Sequence, residues 1–234
     1  IGQLIEFETL NWDSFREATK IITTQKTSLL QDKFKPDLYL QREIVLVGFE
    51  KFIASNKTAL VLIGNSGVGK SSFLTSIINE LSNNENYSIL AYDGANLDSS
   101  HHIEHIIDSD LKGIIRRRGQ SGVSYLDDLP LRSSMDGKKV LILIDAVNEN
   151  GIPRDLLFNI NRFIIDYSRY IWLKVLITSR PQAWRMMKRG VKLSDPSYFY
   201  PQNELDPWLE LLPFTWSEVP EVYEKYSRTY PIDT

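Results

Sequence analysis

The stretch Gly64-Asn65-Ser66-Gly67-Val68-Gly69-Lys70-Ser71 has the residue types and the G-x-x-x-x-G-K-[ST] spacing needed to hold a chain of phosphates. Glycines let the backbone turn tightly and approach an anion with no Cβ in the way. Successive N–H groups then converge at the positive end of the following helix. Lys70 reaches the β- and γ-phosphates as a compact positive charge. The Ser71 hydroxyl is a ligand for Mg²⁺, and Ser72 follows it on the same helical turn.

Two further segments carry matching chemistry. Val140-Leu141-Ile142-Leu143-Ile144 is a continuous apolar run that ends in Asp145, with Asn148 and Glu149 just beyond. A buried strand releasing an acid at its C-terminal end suits a carboxylate that holds Mg²⁺ through a water. Glu149 is the candidate to polarise a water for attack on a γ-phosphate, and Asn148 to position that water or the metal shell. Later, Thr178-Ser179-Arg180-Pro181 closes another apolar run. Either hydroxyl there can sense the γ-phosphate, and Arg180 can stabilise transition-state charge. The plainer alternative makes Arg180 a surface residue before a proline turn. No guanine-reading Asn-Lys-x-Asp follows a late strand, and no Asp-x-x-Gly follows Asp145, so ATP is favoured over GTP.

These residues need a scaffold that gathers strand ends. Residues 59–63, 88–92, 140–144 and 173–178 are short apolar runs of the kind buried on both faces of a parallel sheet. Residues 209–212 form a fifth candidate between Pro207 and Pro213. Helical patterning marks most of 1–35, then 44–54, 70–81, 102–118, 154–170 and 215–229. Strands alternating with helices imply βαβ units and an α/β fold. The long stretch 94–138 reads as helix plus mobile loop, with Gly119, Gly122 and Gly137 in it.

Composition sets outer bounds. The 234 residues are 42% hydrophobic and 24% charged, as in one large globular domain or one domain with extensions. No run of 18 apolar residues offers a membrane-spanning helix, so a cytoplasmic protein with no membrane partner is expected. A net charge of −3 argues against a nucleic-acid-coating surface. The lack of cysteine excludes disulfides, thiolate catalysis and cysteine-ligated zinc. The chain begins at Ile1 with no leader pattern, and both ends read as those of a piece cut from a longer polypeptide.

Taken together, the three motifs resemble the STAND class of signal-transduction P-loop ATPases, and within it the NACHT type. Gly-Asn-Ser-Gly-Val-Gly-Lys-Ser, Leu-Ile-Leu-Ile-Asp-Ala-Val-Asn-Glu and Leu-Ile-Thr-Ser-Arg-Pro stand in that family's order, and the resemblance covers residues 36–230 by order. The Asp-Ala-x-Asn-Glu form looks like that of bacterial NACHT-like proteins, antiviral sensors among them. It departs from the more usual Asp-Gly-x-Asp-Glu, and Asn148 in place of an acid leaves Glu149 as the main candidate base. Tyr39-Leu40-Gln41-Arg42-Glu43 resembles the family's Val-Gly-Arg-Glu segment, which implies that Leu40 and Arg42 border the adenine. Residues 211–218 resemble the start of a helical lid, whose remainder, with a winged-helix region, would lie beyond Thr234.

The resemblance implies a three-layer P-loop NTPase of the ASCE type, with a five-stranded parallel sheet in the order 5-1-4-3-2. It implies a helical linker and adenine-bordering segment at 1–55, a P-loop core at 56–213 and the start of the lid at 214–234. It also implies ATP or ADP with Mg²⁺ as ligands, homo-oligomers of the full-length ATP-bound protein, and sensor and effector domains in the same chain; the near-neutral charge, for its part, makes nucleic acid an unexpected partner for this fragment.

The expected function is therefore MgATP binding with slow hydrolysis, used as an oligomerisation switch in signalling and antiviral defence. Gly64, Asn65, Ser66, Gly67, Val68, Gly69, Lys70, Ser71 and Ser72 bind nucleotide with Leu40 and Arg42. Ser71 and Asp145 hold the metal, and Lys70, Glu149 and Arg180 are catalytic. One alternative is a nucleotide-gated module with negligible hydrolysis, favoured by Asn148. Another is a phosphotransferase, for which Arg116-Arg117-Arg118 would have to act as a mobile lid. His101-His102-Ile103-Glu104-His105 reads as a surface helix, because one helix cannot easily bring all three histidines to one face. The aromatic tail from Tyr198 to Tyr230 reads as core and lid packing, or as a face covered by domains elsewhere in the chain.

Overall fold

The structure is a computed structural model that describes residues 5–6, 10–116, 123–129, 137–193, 195–201 and 206–230. The chain opens with β1 (Ile5–Glu6), α1 (Trp12–Lys33) and α2 (Glu43–Ala54), followed by β2 (Ala59–Ile63), α3 (Lys70–Leu81) and β3 (Tyr87–Asp93). Next come α4 (Ile103–Lys112), β4 (Ile115–Arg116), α5 (Tyr125–Asp128) and β5 (Lys139–Asp145). The last elements are α6 (Pro153–Asp166), β6 (Leu173–Ser179), α7 (Pro181–Lys188), β7 (Trp208–Glu210) and α8 (Val219–Thr229).

Five strands form one parallel sheet in the order β3-β5-β6-β2-β7. Counted among themselves in chain order, these strands run 2-3-4-1-5, which is the expected 5-1-4-3-2 read from the other edge. β1 and β4 form a separate two-stranded ribbon.

The central strands are apolar on both faces, and their residue types alternate. Val61, Ile63, Val140, Ile142, Ile144, Val175 and Ile177 share a core with residues of α1, α4 and α6. Leu60, Leu62, Leu141, Leu143 and Leu176 share a second core with residues of α2 and α3. The two-residue period of a strand thus sends most β-branched side chains of the sheet to one layer and most leucines to the other, with Leu90, Leu173 and Ile89 as exceptions. Helices on both faces complete three layers, as a parallel sheet requires.

Segment 12–54 packs as part of these layers. Phe15, Ala18 and Ile22 of α1 and Phe49 and Phe52 of α2 are buried among the strand residues. α1 starts with a capping box between Asn11 and Ser14. It then runs along β3, an edge strand, where hydroxyls meet the free backbone. Thr23 Oγ1 donates to the Ile89 carbonyl at 2.7 Å and accepts from the Ala91 N–H at 3.2 Å. Thr19 Oγ1 lies 2.7 Å from Ser88 Oγ. The edge is therefore covered rather than left open to another strand.

Several helix limits differ from expectation. The helix expected over 102–118 ends at Lys112, where the Gly113 N–H closes on the Asp110 and Ser109 carbonyls and the chain turns into β4. The helix expected over 154–170 ends at Asp166. The tail helix starts at Val219, since the Thr215 N–H and hydroxyl both donate to Glu218 Oε2, at 2.7 and 2.8 Å. α7 was not expected. Pro181 opens it at N1, where a missing N–H costs no helix bond. Within 94–138, expected to be helix plus mobile loop, the short elements β4 and α5 follow α4.

Candidate nucleotide-binding site

β2 ends at Gly64, where a Cβ would sit 2.7 Å from the Leu211 carbonyl oxygen and 2.8 Å from Val68 Cγ2. No larger residue fits that packing. Gly67 and Gly69 have φ of 79° and 103°, which suit glycine alone without strain. The resulting turn leads into α3 with no side-chain cap at Gly69. The backbone N–H groups of residues 65–72 donate to no acceptor among the described residues. An uncapped helix start carries positive partial charge, so this loop is a donor set without acceptors, suited to an anion.

Lys70 Nζ donates to the carbonyls of Gly64 and Asn65 at 2.7 and 2.9 Å, folded back over the loop. Burial lowers its pKa, and the nearby carboxylate of Asp145 offsets part of that effect. Ser71 Oγ donates to Asp145 Oδ2 at 2.5 Å. Thr178 Oγ1 donates to Asp145 Oδ1 at 2.5 Å and accepts the Ala146 N–H at 2.8 Å. Asp145 is buried at the end of β5, and β6 places Thr178 beside it. One hydroxyl and one carboxylate so placed match the oxygen donors that Mg²⁺ takes from a protein. The residues present therefore fit both a polyphosphate and its metal.

Beyond Asp145 the chain turns through Ala146, at φ 52° and ψ 47°. This is the one positive-φ residue other than glycine among the described residues. The turn brings Asn148 and Glu149 back toward β6. Asn148 Oδ1 accepts the Arg180 N–H at 2.9 Å, and an Arg180 guanidinium nitrogen lies 2.9 Å from Glu149 Oε1. Both side chains of that ion pair are about half exposed, at 50% and 48%.

Two adjoining hollows meet at the loop. A cleft of about 460 Å³ is lined by Ser66, Lys70, Ser71, Asp145, Glu149 and Arg180 among others. A slot of about 200 Å³ is lined by Tyr39, Leu40, Arg42, Val68, Phe73 and Phe214 among others. Phe34, Gly67, Gly69 and Ser72 border both. A slot lined by aromatic and aliphatic side chains with polar groups among them, beside a phosphate loop, suits a purine ring.

Leu40 and Arg42 thus stand at the slot. The Arg42 guanidinium, however, is committed elsewhere: it donates to the Leu212 and Pro213 carbonyls at 3.0 and 3.2 Å, pairs with Glu218 at 2.9 Å and lies 4.7 Å from the Phe214 ring centre. It fastens the tail over the slot. Leu211, Phe214 and Tyr226 of that tail line the slot too. Asn65 is exposed at the loop tip.

Sequence reasoning missed Lys26 and Phe34 of the N-terminal segment, and Asp93 and Asn96 after β3, all of which line the cleft. Their only signal is tertiary, since no motif connects them to the loop. Arg117, Arg118, Gly119 and Gly122 lie outside the described residues, as does the Arg116 side chain. His101 lies 2.8 Å from Asp98, whose pKa is lowered to about 2 chiefly by hydrogen bonds from Ser100. His102 stacks edge-on to His105. No group of three or more metal-binding side chains occurs among the described residues. No helix among them is long and apolar enough to cross a membrane.

No family model matches the chain, and no curated protein matches it. Solved structures do. Cdc6p from Pyrobaculum aerophilum aligns with a TM-score of 0.56 at 15% identity, over 87% of this chain and 54% of its own. A Walker-type ATPase of Pyrococcus abyssi aligns at 0.54 and 16%, over 86% and 62%. The Drosophila ORC bound to DNA aligns at 0.52 and 14%, over 86% and 50%. This chain therefore spans between half and two thirds of those chains. At such identities the likeness is one of fold: the chain has the parallel α/β architecture that a Walker-type ATPase also has.

Proposed function

We propose that this chain is an ATP-binding module that hydrolyses its nucleotide slowly and uses it as a conformational switch. The observation that carries the reading is the run of acceptor-free N–H groups at residues 65–72, wrapped around Lys70 and set against the Ser71–Asp145 pair. Those groups bind phosphates, and Lys70 must leave the Gly64 and Asn65 carbonyls to join them. Ser71 and Asp145 would hold Mg²⁺, which neutralises phosphate charge when bound. Glu149 orients and deprotonates the attacking water, and Arg180 stabilises charge on the γ-phosphate. For these roles the Glu149–Arg180 ion pair must open, because each group occupies the other. The slot takes the adenine.

The resemblance of the three motifs to NACHT-type ATPases supports the rest of the proposal. The full-length protein would carry sensor and effector domains, self-associate in its ATP form and serve cytoplasmic signalling such as antiviral defence. A second reading, a module that holds nucleotide but scarcely cleaves it, is favoured by Asn148. Its amide oxygen is already used by the Arg180 N–H, and it brings no second carboxylate.

The test is MgATP binding with single-turnover hydrolysis. Lys70→Ala should weaken binding about a hundredfold or more, on the scale of two lost charge-assisted contacts. Glu149→Gln should keep binding and lose cleavage. Binding without cleavage in the wild type selects the second reading. Equal binding by Lys70→Ala and the wild type would sink both.

A further inference from the structure

Both hollows share a wall that the motifs do not announce. The C-terminal half of α1 places Lys26 on the phosphate cleft, and Phe34, its C-cap residue, lies on the cleft and the slot together. α1 thus spans the site from its phosphate end to its base end.

Lys26 is held on one side only. Its Nζ lies 3.0 Å from Asp110 Oδ1, and its side chain is 44% exposed. The Tyr92 ring centre is 6.0 Å away. An ion pair this open contributes little. The acids of the cleft are already served by other donors. Asp93 accepts from the Ala95 N–H and the Asn96 amide, Asp145 from Ser71 and Thr178, and Glu149 from Arg180. Of the three cleft cations, Arg180 pairs within the lining, Lys70 folds back on the Gly64 and Asn65 carbonyls, and Lys26 is the one whose partner is a side chain outside the lining. Beneath it, Asp110 Oδ2 and the Tyr92 hydroxyl are buried with no hydrogen-bond partner among the described residues. Burial raises the Tyr92 pKa well above its ordinary value, and the charge of Asp110 and its approach to the hydroxyl add to the effect, so the hydroxyl keeps its proton and stands close to Asp110, short of a well-formed hydrogen bond. It is a donor in reserve for Asp110.

We infer that Lys26 is a further phosphate-binding residue, which exchanges Asp110 for the terminal phosphate of a bound nucleoside triphosphate and draws α1 onto the cleft. The inference rests on the nucleotide reading proposed above. The exchange trades an open pair with one carboxylate for a polyanion in a narrow cleft, where a charge-assisted hydrogen bond is stronger. Tyr92 then turns its hydroxyl to Asp110. The N-terminal helix thereby distinguishes a triphosphate from a diphosphate.

The experiment compares MgATP and MgADP affinities of the wild type, Lys26→Ala, Lys26→Arg, Asp110→Asn and Lys70→Ala. Lys26→Ala should lose about tenfold in ATP affinity, the scale of one charge-assisted contact, while ADP affinity changes less than about twofold. Lys26→Arg should recover most of the loss. Asp110→Asn, which releases Lys26, should tighten ATP. A structural role for Lys26 would weaken both nucleotides alike, and that result overturns the inference. So does an unchanged ATP-to-ADP preference in Lys26→Ala while Lys70→Ala loses both nucleotides. If the wild type binds neither, the nucleotide reading itself fails and the inference falls with it.

Discussion

β6 carries a buried polar group near each end, and the two are built differently. Near its start, Lys174 is fully buried. Its Nζ donates to the Ser55 and Lys57 carbonyls at 2.7 and 2.6 Å and lies 5.2 Å from the Phe52 ring centre. Near its end, Thr178 donates to Asp145, whose other oxygen takes the Ser71 hydroxyl, and this network opens on the cleft. The first cluster closes on itself: its donors meet backbone oxygens. The second faces a row of N–H groups without acceptors. Burial of a polar group therefore does not mark function by itself. What separates the two ends is spare hydrogen-bonding capacity turned toward open space.

The largest expected effect tests the closed end. Lys174→Ala removes a packed alkyl chain and leaves two carbonyls without their donor. It should cost about 3 kcal/mol in denaturant unfolding, from the cavity and the unsatisfied oxygens together. Nucleotide affinity should stay unchanged. A loss of ATP binding larger than the loss of stability would break the contrast, because it would give Lys174 a part in the site.

The pH dependence of stability separates the same cluster further. Burial lowers the Lys174 pKa from 10.5 to about 8, and the neighbouring Lys139 adds to it. A lysine whose folded pKa is depressed holds fewer protons folded than unfolded between those two values. Stability then rises with pH in that window. Below about 8 the lysine is charged in both states, and a constant penalty remains. Between pH 8 and 10 the gain should be up to about 2 kcal/mol, at 1.36 kcal/mol per unit. Above 10 the tyrosines reverse the trend. Tyr167 and Tyr198 have pKa values raised chiefly by burial, so the unfolded chain releases their protons first. Lys70 and Lys139 are lowered like Lys174, so the control is Lys174→Met, which should flatten the Lys174 share of the slope. A slope unaltered by that change would show that the lysine titrates as if in water.

How far the sequence speaks differs between the two ends as well. The strands and the loop that follows the first of them were readable because fixed spacing and unbroken apolar runs mark them locally, whereas the sheet order came only with the resemblance of the motifs. Lys174 was visible as one charge inside an apolar run, yet its meaning depends on carbonyls at 55 and 57, which come from the link between α2 and β2. Lys26 and Phe34 carried no local sign, because α1 reaches the cleft only by packing along the β3 edge. α7 was hidden by Pro181, a residue that opens a helix as readily as it makes a turn. Arg42 lines the slot, but its engagement with the tail rests on 170 residues of separation that no pattern spans.

The smallest expected effect lies at the open end. Ala146 holds a left-handed conformation that costs a residue with a Cβ about 1–2 kcal/mol. A glycine at this place would remove that cost. Ala146→Gly should therefore raise stability by about 0.5–1 kcal/mol, less than the full strain because glycine also gains freedom when unfolded. In thermal unfolding this is a Tm increase of about 1–4 °C for a chain of this size. A fall in Tm would mean that the Ala146 methyl packs well enough to outweigh the strain. The same substitution bears on function, since this turn aims Asn148 and Glu149 at Arg180. If alanine stiffens the turn and keeps the Glu149–Arg180 pair closed, the glycine variant should hydrolyse ATP faster while binding it equally well. Faster hydrolysis with higher stability would show that the strain restrains the switch rather than preparing it for chemistry.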